Sequence, residues 1–325
     1  MTPSGAGAAI EAEGLRKAYG QVEAVAGLDL AVSAGEIFGF LGPNGAGKST
    51  TINMLCTLLR PTSGRAAVAG HDIVRDADEV RRGIGLVFQE TTLDRELTVT
   101  ENLRFQADLF DVPRRRAEDR IGHLLELMDL ADRRDAAVRT LSGGMQRRLE
   151  IARGLLHSPR VLFLDEPTTG LDPQTRGVIW EYLRRLPREH GVTIFLTTHH
   201  LAEAEHCGRV AIMDGGKLLV EESPALLKAV IASDLVEIRT GDDRAAARAL
   251  RTRFGIEAAA SAEGLRFRVA EGAAFIPRLC SELTVPIHSV TATPPTLDDV
   301  FLHYTGRTIR DTGGPDATST AGPRR

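Results

Sequence analysis

Gly42-Pro43-Asn44-Gly45-Ala46-Gly47-Lys48-Ser49-Thr50 is the stretch that decides the fold. It matches the pattern G-x-x-x-x-G-K-[ST], in which glycines let the main chain wrap phosphates with its N–H groups. The flanks carry the periodicities such a loop needs. Ile37-Phe38-Gly39-Phe40-Leu41 reads as a buried strand, and Ile52, Leu55, Leu58 and Leu59 recur at helical spacing from Ser49 towards Pro61. A strand, a glycine-rich turn and a helix N-terminus form an anion site because bare N–H groups and the helix dipole face one point. Lys48 is placed to reach the β- and γ-phosphates of a nucleotide, and the Ser49 hydroxyl to ligate Mg2+. The loop by itself fits kinases, GTPases and many ATPases. A GTPase also carries an Asn-Lys-x-Asp motif, and none of the four lysines (Lys17, Lys48, Lys217, Lys228) sits in one.

Further along, the apolar run Val161-Leu162-Phe163-Leu164 ends in Asp165-Glu166. Carboxylates at the C-terminal end of a strand, beside a phosphate loop, are placed to hold Mg2+ and to polarise an attacking water. Asp165 fits the first role and Glu166 the second; taken alone, the pair also fits an exposed acidic turn. Leu141-Ser142-Gly143-Gly144-Met145 opens a helix carrying Leu149, Ala152 and Leu156, with Ser142 23 residues before Asp165. Ser-Gly-Gly at a helix start is either a second anion cradle or an ordinary serine cap. One chain does not need two cradles for one nucleotide.

Around these motifs the chain reads as an α/β domain from Ile10 to about 225, with strands at Ile37–Leu41, Gly85–Phe88, Val161–Leu164, Thr193–Leu196 and Val210–Met213. Helical spacing alone (Ile121, Leu124, Leu125, Met128) marks an all-helical insert at about 93–145. Past Ser223-Pro224 the pattern predicts a strand at Leu235–Thr240 and a helix at Asp242–Phe254, then strands at Ile256–Ser261 and Leu265–Val269. A helix at Ala273–Leu283, a strand at Val285–Ala292 and a helix at Thr296–Tyr304 complete it. This β-α-β-β-α-β order over about 230–311 points to a small α+β, ferredoxin-like accessory domain. The ends, 1–9 and 312–325, read as disordered. With 325 residues, 42% apolar and 26% charged, the composition is globular, and no apolar run approaches the ~18 residues of a bilayer span. Nor does Met1–Ile10 have the basic start and apolar run of a secretory signal. The net charge of −4 argues against a nucleic-acid partner. Cys56, Cys207 and Cys280 lack metal-ligand spacing and read as small buried hydrophobes.

Taken in order and spacing, the motifs make the chain resemble the ATP-binding subunits of ABC transporters over roughly residues 10 to 222. The resemblance implies a signature motif at Leu141–Met145, a Q-loop at Gln89, a D-loop at Gly170-Leu171-Asp172-Pro173 and an H-loop at His199. It also implies that Tyr19, 29 residues before Lys48, is the aromatic that stacks on adenine. The implied cofactors are ATP and Mg2+, the metal being held by Ser49, Gln89 and Asp165. Two chains would pack head to tail in an ATP-dependent homodimer. Gly42 to Thr50 of one chain would then face Ser142, Gly143 and Gly144 of the other, with Asp172 also among the nucleotide contacts. Glu166, His199 and Lys48 form the implied catalytic set. Met145 departs from the glutamine of many members, which implies different tuning of the sandwich. His199 and His200, adjacent on an extended chain, are expected to point apart.

Phe88-Gln89-Glu90 through Leu103 and Leu297-Asp298-Asp299-Val300-Phe301-Leu302 resemble the daunorubicin-resistance-type drug-exporter branch. That likeness implies a separate integral-membrane permease, docked on the insert at the cytoplasmic face of the cell membrane, and export of a hydrophobic drug or antibiotic. Other ABC substrates, import and a soluble non-transport ATPase stay open as alternatives.

Overall fold

The computed structural model describes residues 7–261 and 263–308. They divide into two compact units, one reaching to Pro224 and one spanning Ala225–Thr308.

In the first unit, β1 (Ala8–Tyr19) and β2 (Val22–Ser33) form a long antiparallel hairpin. β3 (Ile37–Leu41), the phosphate loop and α1 (Lys48–Leu55) follow, and β4 (Ser63–Val68) and β5 (His71–Asp72) complete a four-stranded sheet ordered β2-β1-β4-β5. α2 (Ala77–Gly83) leads into β6 (Ile84–Val87), and α3 (Val99–Leu109), α4 (Arg114–Leu127) and α5 (Gly143–Leu155) precede β7 (Val161–Asp165). α6 (Pro173–His190), β8 (Thr193–Thr198), α7 (Leu201–Ala204), β9 (Arg209–Asp214) and β10 (Lys217–Glu222) close the unit. The second sheet has six strands in the order β10-β9-β3-β8-β7-β6, parallel except for the β9–β10 pair.

Parallel strands covered on both faces need continuous apolar runs, and β7 and β8 supply them: Val161–Leu164 and every residue of Thr193–Thr198 are buried. Phe38 and Phe40, two apart on β3, face the same side. Each lies 5.5 Å from the Phe195 ring of β8, which lies 5.5 Å from Phe163 of β7. This seam shares one core with Ile10, Leu15, Val25 and Leu28 of the antiparallel sheet and Ile52, Met54 and Leu55 of α1. Each fully buried Phe contributes about 1.5–3 kcal/mol. Register then aligns the strand ends: Val87 pairs with Leu164, Asp165 with Thr197, and Leu41 with Thr198. Gln89, Asp165-Glu166, His199 and the phosphate loop therefore leave the sheet along one edge, where open α/β sheets bind ligands.

Several expectations are corrected. Ala8 and Ala9 belong to β1, because Ala8 pairs with Ser33 and Ala69 N donates to Ala9 O (2.8 Å); residues 1–6 lie outside the described residues, as do 309–325, which contain the expected tail. α1 stops at Leu55 rather than running to Leu59. Thr57 turns left-handed (φ 64°), and the N–H groups of Leu58 and Leu59 both fold back on Asn53 O, at 2.9 and 3.0 Å, so the helix ends before Pro61 acts. Cys56 and Cys207 are buried, but Cys280 is exposed.

Between β6 and β7 the described residues form helices, turns and one isolated bridge, Thr98 with Ala137. α3 starts at a capping box, in which Thr98 accepts from Glu101 N (3.2 Å) and Glu101 accepts from Thr98 N (2.8 Å). Leu103, Ala107, Ile121, Leu124 and Leu125 are buried on α3 and α4.

α8 (Pro224–Ala229) leads on to the elements of the second unit: β11 (Asp234–Thr240), α9 (Asp243–Ala249), β12 (Ala259–Ser261), β13 (Gly264–Val269), α10 (Gly272–Glu282), β14 (Ile287–Thr293) and α11 (Leu297–Thr305). The sheet order is β12-β13-β11-β14, with every neighbouring pair antiparallel, around Val236, Ile238, Leu265, Phe267 and Leu279. Two sequence expectations shorten here. The helix expected over Asp242–Phe254 continues beyond Ala249 as a π-turn at Leu250–Phe254, and the strand expected from Ile256 begins at Ala259. Among the described residues no helix is long and apolar enough to cross a membrane.

Candidate functional site

The phosphate loop is shaped by two glycines that admit no substitute. A Cβ on Gly42 would stand 2.3 Å from Met213 O, and one on Gly47 (φ +105°) 2.4 Å from Ala24 O. Gly45 (φ +80°) has no other atom within 4 Å of its Cβ direction and fronts the open cleft. Ala46 is buried beneath the loop, its N–H donating to Pro43 O (3.2 Å). The cleft measures ≈ 330 Å³ and is lined by Asn44, Gly45, Gly47 to Thr50, Ala24, Gln89 and Glu166. Lys48 is buried at its base, donating from Nζ to Gly42 O (2.7 Å) and Pro43 O (3.0 Å). Burial lowers its pKa, opposed by the charges of Glu166 and Asp165.

β7 delivers the two carboxylates. Asp165 Oδ1 lies 3.4 Å from Ser49 Oγ and also accepts from Thr197 Oγ1 of β8. Glu166 is only 8% exposed and left-handed (φ 46°), an unusual state for a residue with a side chain and one that clusters at functional sites. Its N–H donates to Thr197 O (3.2 Å) and Thr197 Oγ1 (3.1 Å). Its carboxylate gathers four groups. Oε1 lies 3.7 Å from Lys48 Nζ and 3.0 Å from His199 Nδ1, the latter close but not aligned for a hydrogen bond. Oε2 faces Gln89 Nε2 at 3.4 Å and Thr169 Oγ1 at 3.2 Å. The arrangement puts one buried base, a cation and two hydrogen-bonding side chains at the mouth of an anion-binding loop. It can bind phosphate and activate water.

Gly42 to Thr50, Gln89, Asp165, Glu166 and His199 thus converge. Other predicted residues do not. Tyr19 is half exposed at the end of β1 with Lys17 Nζ 5.2 Å from its ring centre, and is not among the residues lining the cleft. Ser142 caps α5, accepting from Met145 N (3.3 Å), and Gly144 is held against Thr175, whose Cγ2 a Cβ would approach to 2.4 Å. Ser142, Gly143 and Gly144 do not line this cleft. Asp172 caps α6, taking Thr175 N (3.0 Å) and Thr175 Oγ1 (2.6 Å), bonds that lower its pKa. His199 and His200 do not point apart: β8 ends at Thr198, the chain turns, and the two rings meet at a tilt of 43° with centres 4.0 Å apart. No cluster of three or more metal-type ligands occurs among the described residues.

Three supporting groups went unread in the sequence. Thr197 donates to the Asp165 carboxylate and accepts from the Glu166 main-chain N–H. Glu203 is buried and accepts from Thr168 Oγ1 and from Thr198 Oγ1 (3.0 Å), tying the loop after Glu166 to the end of β8. Arg147 is buried beneath the same loop. Nothing in an arginine-rich helix separates Arg147 from Arg148 or Arg153 before packing is known.

Comparison with known proteins agrees with this geometry. A family model for ABC transporters matches residues 25–169. The daunorubicin resistance ATP-binding protein DrrA3 of Streptomyces coeruleorubidus is 42% identical over 304 residues, covering 92% of this chain and 96% of that protein. The Nod factor export ATP-binding protein I of Ralstonia nicotianae is 41% identical over 307 residues, covering 93% and 95%. Among solved structures, the dimeric ATP-binding cassette MJ0796 bound to ADP and Pi gives a TM-score of 0.59 at 30% identity, over 66% of this chain and 98% of that one. CbiO1 of Clostridium perfringens gives 0.64 at 28%, over 77% and 96%. The chain belongs to the ABC transporter family and is the ATP-hydrolysing subunit of a transporter.

Proposed function

We propose that this ABC ATPase works as an ATP-dependent homodimer, energising a separate integral-membrane permease that exports a hydrophobic small molecule such as an antibiotic. The observation that carries the dimer is the division of anion-binding parts. The cleft of one chain holds the loop, Lys48 and Glu166, while the Ser142–Gly144 helix start lies outside it. That second cradle is used if it closes over the nucleotide of a partner chain, and a similar cassette is dimeric with ADP and Pi bound.

The residues present suit Mg2+: a serine hydroxyl and one carboxylate within 3.4 Å of each other leave the remaining positions to phosphate oxygens and water, as this ion prefers. Ser49 and Asp165 would hold it, with Gln89 beside them, and the bound ion would neutralise charge building on the phosphates. Lys48 and the loop N–H groups bind and orient the β- and γ-phosphates. Glu166 takes the proton of the attacking water, and His199, 3.0 Å from that carboxylate, contacts the γ-phosphate and fixes the water's direction. Tyr19 stacks on the adenine. Closure on ATP and reopening after hydrolysis move the permease.

Export is supported by the functions for which the relatives are named, resistance to daunorubicin and export of Nod factor. Docking on the insert is supported by α3, which exposes Phe105 (65%) and Leu109 (64%) one turn apart. The Ala225–Thr308 unit is the ferredoxin-like accessory domain, a reading supported by its strand order. The chain sits at the cytoplasmic face of the membrane through its partner. Inverted membrane vesicles containing the chain and its co-purified permease should accumulate a hydrophobic fluorescent drug when ATP is added, and a cysteine at Phe105 should cross-link to the permease. Uptake that continues with Glu166→Gln, or transport in the opposite direction, overturns the reading.

A further inference from the structure

We infer that Arg147 is a positioning residue for hydrolysis, fixing the turn that carries Glu166 and the segment that carries Gln89 to the helix begun by Ser142. It is only 6% exposed, yet its guanidinium meets five acceptors. Nε donates to Pro167 O (2.6 Å), and Nη2 to Asp165 O (3.2 Å) and Glu166 O (3.4 Å), so three consecutive carbonyls converge on one cation. These are main-chain contacts: they hold the shape of the turn in which Glu166 is left-handed. Nη1 donates to Phe88 O (2.6 Å), the residue before Gln89, and to Glu150 Oε2 (2.9 Å). The other oxygen of Glu150 accepts from Thr92 N (2.9 Å), and Arg153 Nη1 donates to Thr92 O (2.8 Å). The Phe88–Thr92 segment is therefore gripped at both ends by α5.

A planar fork of five donors can satisfy this set, whereas an ammonium with three cannot. Arg147 lies five residues beyond Ser142 on α5, about 7.5 Å along a rigid helix. Resting on the proposed dimer, the consequence is a link between sites: a shift of α5 when Ser142 meets the partner's nucleotide reaches Glu166 and Gln89 of its own chain. A misplacement of about 1 Å at a reacting group can cost 10²-fold in rate, so the link acts on turnover more than on binding.

The test uses the full chain with its permease and compares Arg147→Met, Arg147→Lys and the double variant Arg147→Met/Glu150→Met. The double variant matters because Arg147→Met alone strands a buried carboxylate and can fail to fold for that reason. Expected for the double variant are an ATP Kd within about threefold of wild type, a melting temperature near wild type and kcat reduced about tenfold or more, with Arg147→Lys intermediate. If kcat stays within twofold, or if kcat and ATP affinity fall together with stability, Arg147 is structural and the inference fails. Should the double variant not fold, the same kcat-against-Kd split in Arg147→Lys decides. Glu166→Gln is run in parallel: turnover at the wild-type rate there refutes the proposed function itself, whereas slow turnover there with normal turnover in the Arg147 variants refutes only this link.

Discussion

Replacing Glu166 by Gln exchanges one atom in a site that is only 8% exposed and removes one charge. The carboxylate lies 3.7 Å from Lys48 Nζ, an attraction of about 4 kcal/mol at an effective dielectric of 20, largely offset by the cost of burying both groups. Taking away that charge has opposite consequences for binding and for chemistry. Lys48 loses a competitor for its interaction with phosphate, and the repulsion between a buried carboxylate and an anionic γ-phosphate disappears, so ATP should bind as well as before or more tightly. Hydrolysis loses its base, typically worth 10²–10⁴-fold, or about 3–5 kcal/mol of barrier. The amide should keep the contacts to Gln89 and Thr169, now at 3.4 and 3.2 Å, so the loop itself should not collapse. Single-turnover hydrolysis with radiolabelled ATP measures the rate, and size-exclusion chromatography with ATP detects the closed dimer that slow turnover should accumulate. Wild-type turnover would sink the assignment of the base. A loss of ATP affinity beyond about tenfold would mean that Glu166 serves ligand binding instead.

Mixing Lys48→Ala with Ser142→Arg, each inactive alone, should restore ATPase activity, because one of the two sites in the mixed dimer then keeps an intact loop facing an intact Ser142; hydrolysis by a wild-type chain that stays monomeric with ATP bound would refute the shared site. His157 gives a pH prediction. Its ring stacks on Phe110 with centres 3.9 Å apart, Nε2 lies 2.8 Å from Ile84 O, and burial, with help from the charge of Arg120, lowers its pKa. The unfolded chain therefore takes up this proton first, and stability is lost as pH falls below the ordinary value of 6.5 towards the depressed folded value, by at most about 1.4 kcal/mol per pH unit. His157→Gln should lower the melting temperature at pH 8 but flatten its fall between pH 7 and pH 5; parallel curves for the two proteins would contradict this.

The nucleotide cleft is legible in the sequence because parallel strands buried on both faces leave contiguous apolar runs, and function sits at their C-terminal ends. Ile37–Leu41 and Val161–Leu164 announce themselves, and Gly42 to Thr50 and Asp165-Glu166 follow directly. The β1–β2 hairpin is harder to read. Its half-buried alternation slips where the register shifts, between Ala12 and Leu15 and again between Lys17 and Ala18, so no period-2 pattern runs its full length. Arg147 and Glu203 are invisible for a different reason. A buried charge is identified by its partners, here mostly carbonyls and hydroxyls distant in sequence, and those are set by tertiary packing. His199 and His200 mislead because alternation assumes a strand, and the strand has ended one residue earlier.

The two readings that the sequence leaves open for Ser142 are compatible once its donors and acceptors are separated. As a cap it uses Oγ as an acceptor for Met145 N, at 3.3 Å, which leaves the hydroxyl proton free to donate. Gly143 and Gly144 occupy the first turn of α5, where N–H groups have no partner within the helix. In the proposed dimer a cap would thus leave a hydroxyl and bare N–H donors for an incoming phosphate instead of competing with it. Because the cap contact is made through Met145's main chain, the methionine side chain does not affect it. Asp172 differs. Both of its oxygens are taken by Thr175, and an anion offers a phosphate no donor from its side chain. The cap at α5 is therefore compatible with the proposed contact to a partner's nucleotide, while the carboxylate at α6 caps the helix that packs against Gly144 through Thr175.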